Sequence, residues 1–180
     1  MTHVTSAPDA ESLFAQYSGR LLRYLSRATG EREVARDLSQ EVFLRVSRTA
    51  IPTAHENQLA GWLFKIARNV ARDHHRQRRR RPETDLGPAS EGTRDAQQEM
   101  ALALKQALAT LPDLDRDVFL LREVGGLSRE EIATACELTP DAVRSRIHRA
   151  RLELRAVLTG PINALRQARI RPLPHTRAPR

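Results

Sequence analysis

Residues 128–154 read Ser128-Arg129-Glu130-Glu131-Ile132-Ala133-Thr134-Ala135-Cys136-Glu137-Leu138-Thr139-Pro140-Asp141-Ala142-Val143-Arg144-Ser145-Arg146-Ile147-His148-Arg149-Ala150-Arg151-Leu152-Glu153-Leu154. The run predicts a short helix, a tight turn and a second helix. Ser128 caps the first helix, and Glu131 three residues on completes a capping box. Thr139 is a second cap, Pro140 fits the first helical position, and Asp141 favours the positive end of the new helix. Val143, Ile147, Ala150 and Leu154 then recur at three- and four-residue steps as a buried stripe. Around that stripe stand Arg144, Ser145, Arg146, His148, Arg149, Arg151 and Arg155. A second helix with an arginine-rich outer face suits the major groove of duplex DNA.

Upstream, the same four-residue rhythm repeats. After Asp9, read as the cap, come Leu13, Tyr17, Leu21 and Leu25, and Gly30 breaks that helix. Val34, Leu38, Val42 and Val46 form a second ladder that ends before Pro52, with a loop over 51–57. Leu59, Leu63, Ile66, Ala67, Val70 and Ala71 form a third, which runs into the arginines at 76 and 78–81. Sustained strand alternation is absent, so this block reads as a helical bundle. Residues 82–99 change character: Pro, Gly, Ser and Thr accompany five acids and a single base, a mixture that buries too little apolar surface to order itself. Met100, Leu104 and Leu108 then predict a helix stopped at Leu111-Pro112, and Val118, Leu121 and Val124 another ended by Gly125-Gly126.

The expected architecture is therefore all-α, with two small helical domains joined by a flexible linker. A helical bundle spans 10–81, an acidic linker 82–98, and a four-helix domain with a C-terminal helix-turn-helix 99–158. A basic, proline-containing tail over 159–180 reads as disordered, although Ile162 to Ile170 has the composition of a short helix.

Composition points the same way. The 180-residue chain carries a formal net charge of +8, and only Lys65 and Lys105 among its bases are not arginine. Arginine's planar fork fits phosphate and guanine edges, so a polyanionic partner is expected. Aromatics make up 4% of residues, too few for large packed sheets. The single Cys136 excludes an intramolecular disulfide framework and reads as a buried structural thiol. No apolar run reaches the roughly 20 residues that span a bilayer, and Met1 to Asp9 lacks the pattern of a secretory signal. A cytoplasmic protein without membrane insertion is expected.

With both blocks placed, the chain resembles a sigma factor of the extracytoplasmic-function group, group 4 of the sigma-70 superfamily. Asp37-Leu38-Ser39-Gln40-Glu41-Val42-Phe43-Leu44 resembles the family's polymerase-binding helix. The segment from Trp62 to Asp73 resembles the one that melts and reads the −10 promoter element. Leu111-Pro112 and Arg116 to Arg122 resemble the start of the −35-binding domain, and Val143 to Arg151 its recognition helix. The match covers roughly residues 10–158, and its strength is the order and spacing of four motifs.

The resemblance implies partners and site residues. Asp37, Gln40, Glu41 and Leu44 would meet the clamp coiled coil of core RNA polymerase. The family often has further acids in this signature where this chain has Val34 and Arg36. Lys65, Arg68, Asn69, Arg72 and Arg76 would engage the −10 region of promoter DNA, with Phe64 and the loop 51–58, including His55 and Asn57, as candidate surfaces for unpaired bases. Thr139, Arg144, Ser145, Arg146, His148, Arg149 and Arg151 would contact the −35 element. Trp62 reads as core. An anti-sigma factor is an implied inhibitor. The implied function is binding core polymerase and directing transcription initiation at promoters.

An enzyme is a poor alternative. The pair His74-His75 points to different helix faces, and the chain has no Cys-x-x-Cys pair, P-loop or nucleophile elbow. No catalytic residue, cofactor or metal is therefore expected. The stronger rival is a self-sufficient helix-turn-helix regulator that binds paired half-sites as a dimer.

Overall fold

A computed structural model of the chain describes residues 9–52, 56–80 and 96–170, and every element among them is helical. α1 spans Ala10–Thr29, α2 Arg32–Ser47 and α3 Glu56–Arg80. α4 spans Ala96–Thr110, α5 Asp113–Glu123, α6 Arg129–Cys136 and α7 Pro140–Ile170. The segment read as a linker and residues 171–180 lie outside the described residues, apart from the start of α4.

The caps explain where the helices begin and end. Asp9 accepts from the backbone N–H and hydroxyl of Ser12 at 2.7 and 2.6 Å, and those bonds hold its carboxyl below the usual range. Gly30 closes α1 at φ 78°, where its N–H reaches the Ser26 carbonyl at 3.0 Å, a left-handed C-cap that a side chain would strain. At α6 the capping box is complete: Glu131 N–H donates to Ser128 Oγ at 3.1 Å, and Ser128 N–H to Glu131 Oε2 at 2.6 Å.

The ladders are largely buried as expected, with two departures. Met100 is 37% exposed, so α4 packs through Ala107 and Leu108, with Leu104 half-buried. α7 does not stop near Leu158 but runs through Gly160 and Pro161 to Ile170. Ala164 to Arg169 are strong helix formers, and they outweigh the break that Gly-Pro suggests.

α1, α2 and α3 form one bundle, and α4 to α7 form the second unit, in which α7 packs on α4, α5 and α6. The two units are packed together. α3 lies along α6 in the most extensive helix–helix contact of the molecule, and α1 also touches α5. One continuous core runs from Leu13 and Leu21 through Leu63 and Phe64 to Leu121, Ile132 and Val143.

Candidate nucleic-acid interface

The turn between α6 and α7 is built by Glu137, which adopts the left-handed conformation at φ 56° and ends α6. Thr139 Oγ1 accepts from the Ala142 N–H at 3.2 Å and starts α7. Val143, Ile147, Ala150 and Leu154 are buried, which turns the polar positions outward. Thr139, Arg144, Ser145, His148, Arg149 and Arg151 are exposed. Arg146 differs, being half-buried and ion-paired with the buried Asp115 of α5. Arg149 lies 3.7 Å from the other Asp115 oxygen, and Arg151 bonds Glu123 at 2.6 Å. Three arginines of this face are thus braced against α5, whereas Arg144 makes no ion pair among the described residues.

On α3 the expected cluster divides. Asn69, Arg72 and Arg76 are exposed. Arg68 is 7% exposed and donates from Nε to Asp117 Oδ2 of α5 at 2.6 Å, across the junction of the two units. Burial pushes the Asp117 carboxyl up from its ordinary value, against the pull of Arg68. Desolvation, the largest single influence, opposes the charge on Arg68, yet the hydrogen bond to Asp117 and the nearby negative charge together outweigh it and the guanidinium pKa is raised. Lys65, half-buried, reaches Glu137 at 2.7 Å and holds that carboxyl below its usual range. Arg20 completes the junction, donating to the Gly125 and Gly126 carbonyls at 2.8 and 2.9 Å.

Phe64 is not a surface for stacking bases. It is fully buried, edge-on to Tyr24 with ring centroids 5.8 Å apart, and the Arg20 guanidinium lies 5.9 Å from its ring centre. Its helical neighbours Ala60 and Ala67 face inward with it, and that periodicity is the signal for a core position. Trp62 is half-buried against the core, as expected. His55 and the side chain of Asn57 lie outside the described residues. The Cys136 thiol is buried, and burial pushes its pKa up to about 11.

On α2, Asp37 and Gln40 are exposed, and Leu44 is 49% exposed. Glu41 is half-buried and bonded to Arg45 at 2.8 Å. Arg36 pairs with Glu33, and Val34 is half-buried. A residue that the pattern of apolar ladders passes over joins this face: Phe14 of α1 is 54% exposed and sits edge-on to Phe43 at 4.8 Å. A large apolar residue on the polar side of the α1 ladder is its signal.

Comparison with known proteins identifies the family. The family models for sigma-70 region 2 and sigma-70 region 4 match residues 13–81 and 101–154. The chain is 34% identical over 160 residues to the ECF RNA polymerase sigma factor SigE of Mycolicibacterium smegmatis, covering 84% of this chain and 62% of that relative. It is 32% identical to the RNA polymerase sigma factor YlaC of Bacillus subtilis, covering 83% of this chain and 91% of YlaC. The fold is shared with the sigma factor RpoE of Bartonella quintana, solved in complex with the anti-sigma factor NepR. That likeness has a TM-score of 0.60 at 23% identity, covering 83% of this chain and 96% of that one.

Proposed function

Since the chain belongs to the sigma-70 family and its relatives include extracytoplasmic-function members, we propose that it is a promoter-specificity subunit of RNA polymerase with no catalytic chemistry of its own. It would act in the cytoplasm, where core polymerase and promoter DNA are found. In this reading α2 recruits core polymerase through Asp37, Gln40, Glu41 and Leu44, with Phe14 extending the apolar edge. α7 grips the −35 element through Thr139, Arg144, Ser145, His148 and Arg149, with Arg146 and Arg151 bracing the helix from below. α3 engages the −10 region through Asn69, Arg72 and Arg76, and through Lys65 and Arg68 once α6 and α5 have moved away. Group 4 is the subgroup that the two-domain layout suits. An anti-sigma factor is the expected inhibitor.

The observation that carries this reading is the exposed face of α7, set by a capped turn and a fully buried stripe on the same helix. A gel shift on promoter DNA with and without core polymerase tests it. Sequence-specific binding should depend on core polymerase. Equal specific binding without polymerase would place the protein among self-sufficient regulators.

A further inference from the structure

Where the two units meet, α2, α3 and α5 enclose an open cavity of about 610 Å³. Arg45, Arg72, Arg76, Arg79 and Arg116 line it, with Asn69 beside them. Three carboxylates share the lining: Asp73, Asp113 and Asp117. Asp117 is taken by Arg68, which lies outside the cavity. Asp73 is divided between Arg76 at 3.1 Å and Arg45 at 3.9 Å, and Asp113 serves Arg116 at 3.3 Å. Among the described residues Arg72 and Arg79 make no ion pair. The lining therefore carries an excess of positive charge with no protein partner to neutralise it.

Arg116 is also held still. Its Nε and one Nη donate to the carbonyls of Leu108 and Leu111 at 2.7 and 2.9 Å, so it offers a fixed positive wall from the second domain. The opposite wall is the α3 row of Arg72, Arg76 and Arg79. Guanidinium forks match phosphate oxygens bidentately, and the cavity is of the size that takes small ligands. We propose that it binds a compact phosphate-rich anion, of the chemistry shared by pyrophosphate and nucleoside polyphosphates, and that the anion holds the two domains together. Arg72 and Arg79 supply the free forks, and Asn69 supplies an amide donor. Because the walls come from both domains, the ligand binds the closed arrangement alone and draws the protein into it by mass action. The binding itself stands apart from the promoter reading; its consequence, opposition to promoter capture, rests on that reading.

Calorimetric titration of the full chain with pyrophosphate, ATP, GTP and AMP at about 0.15 M salt tests the proposal. Pyrophosphate and both triphosphates should bind saturably, with AMP weaker by about tenfold or more. Arg45→Ala/Arg79→Ala should keep its helicity and lose about tenfold or more in pyrophosphate affinity. The rate of Cys136 alkylation reads closure, because this residue of α6 is buried beside Arg68 and Asp117, which pair across the junction; saturating pyrophosphate should slow it in the parent. Binding of the triphosphates without pyrophosphate would move recognition to the base and overturn the phosphate assignment. Equal pyrophosphate binding by parent and double variant, or no saturable binding, overturns the site. Faster alkylation with pyrophosphate overturns the closing role.

Discussion

Gly61 of α3 lies so close to Thr134 of α6 that a Cβ on Gly61 would stand 2.7 Å from the Thr134 Cβ. The same added atom would meet the Glu131 carbonyl oxygen at 2.7 Å, a distance that real Cβ atoms essentially never show. Glycine in a helix interior costs about 1 kcal/mol relative to alanine. Its presence here fits a close approach of two backbones that no larger residue permits.

Gly61→Ala should therefore favour α3 as an isolated helix and disfavour its packing on α6. Overpacking of this kind costs about 1–3 kcal/mol. The expected result is unchanged helical content, a larger radius of gyration in solution scattering and faster alkylation of Cys136. A variant as compact and as slowly alkylated as the parent would show that the helices adjust without parting.

Arg144→Ala/Arg149→Ala should weaken use of a −35-dependent promoter. Removing a good bidentate base contact costs about 1–3 kcal/mol, or about 5- to 150-fold for each. Arg146→Ala should act differently, because it leaves the buried Asp115 without its closest partner and lowers the melting temperature. In vitro transcription separates the first effect, and thermal unfolding the second.

Asp37→Arg/Glu41→Arg should reduce affinity for core polymerase and leave the fold intact, since Asp37 is exposed and, among the described residues, Glu41 bonds only along its own helix. Phe14→Ser should weaken the same binding without reversing any charge. Fluorescence titration against core polymerase checks both; parental affinity in the two variants would remove α2 from the interface.

Asn69→Ala should change which −10 sequences are opened with little effect on salt dependence, because the amide is uncharged and exposed. Arg72→Ala should weaken binding across sequences and flatten the salt slope by about 0.7–0.9 for each phosphate that it no longer neutralises. Permanganate footprinting over −10 variants, repeated at several salt concentrations, distinguishes the two roles.

Alkali should expose the Cys136 environment. Burial raises the thiol from 9.0 to about 11 in the folded protein. Below the unfolded value both states keep the proton and the contribution is fully present. Above it the unfolded chain ionises first, so stability falls by about 1.4 kcal/mol per pH unit until the folded thiol also titrates. Denaturant melts from pH 8 to pH 11, with Cys136→Ala as baseline, should show this extra loss in the parent only. Parallel curves would place the thiol in contact with water.

The sequence by itself determined the helices, their caps and the helix-turn-helix. Each of those features depends on residues no more than a few positions apart: Asp9 with Ser12, Ser128 with Glu131, and the repeat from Val143 to Leu154. It also marked Arg144, Asn69 and Asp37 as polar residues on outward faces. Periodicity says which side of a helix turns inward, but not what lies against it. Tertiary structure alone decided that Arg68 is neutralised by Asp117, that Lys65 reaches Glu137, and that Gly61 admits α6. Arg68 and Asp117 stand 49 positions apart, and Lys65 and Glu137 72 apart. Such pairings arise from the burial of apolar surface between whole helices, a non-directional force that no local spacing records. The charge pattern of α3 therefore predicts a DNA-facing helix, while the packing of α3 on α6 decides how much of that face is free.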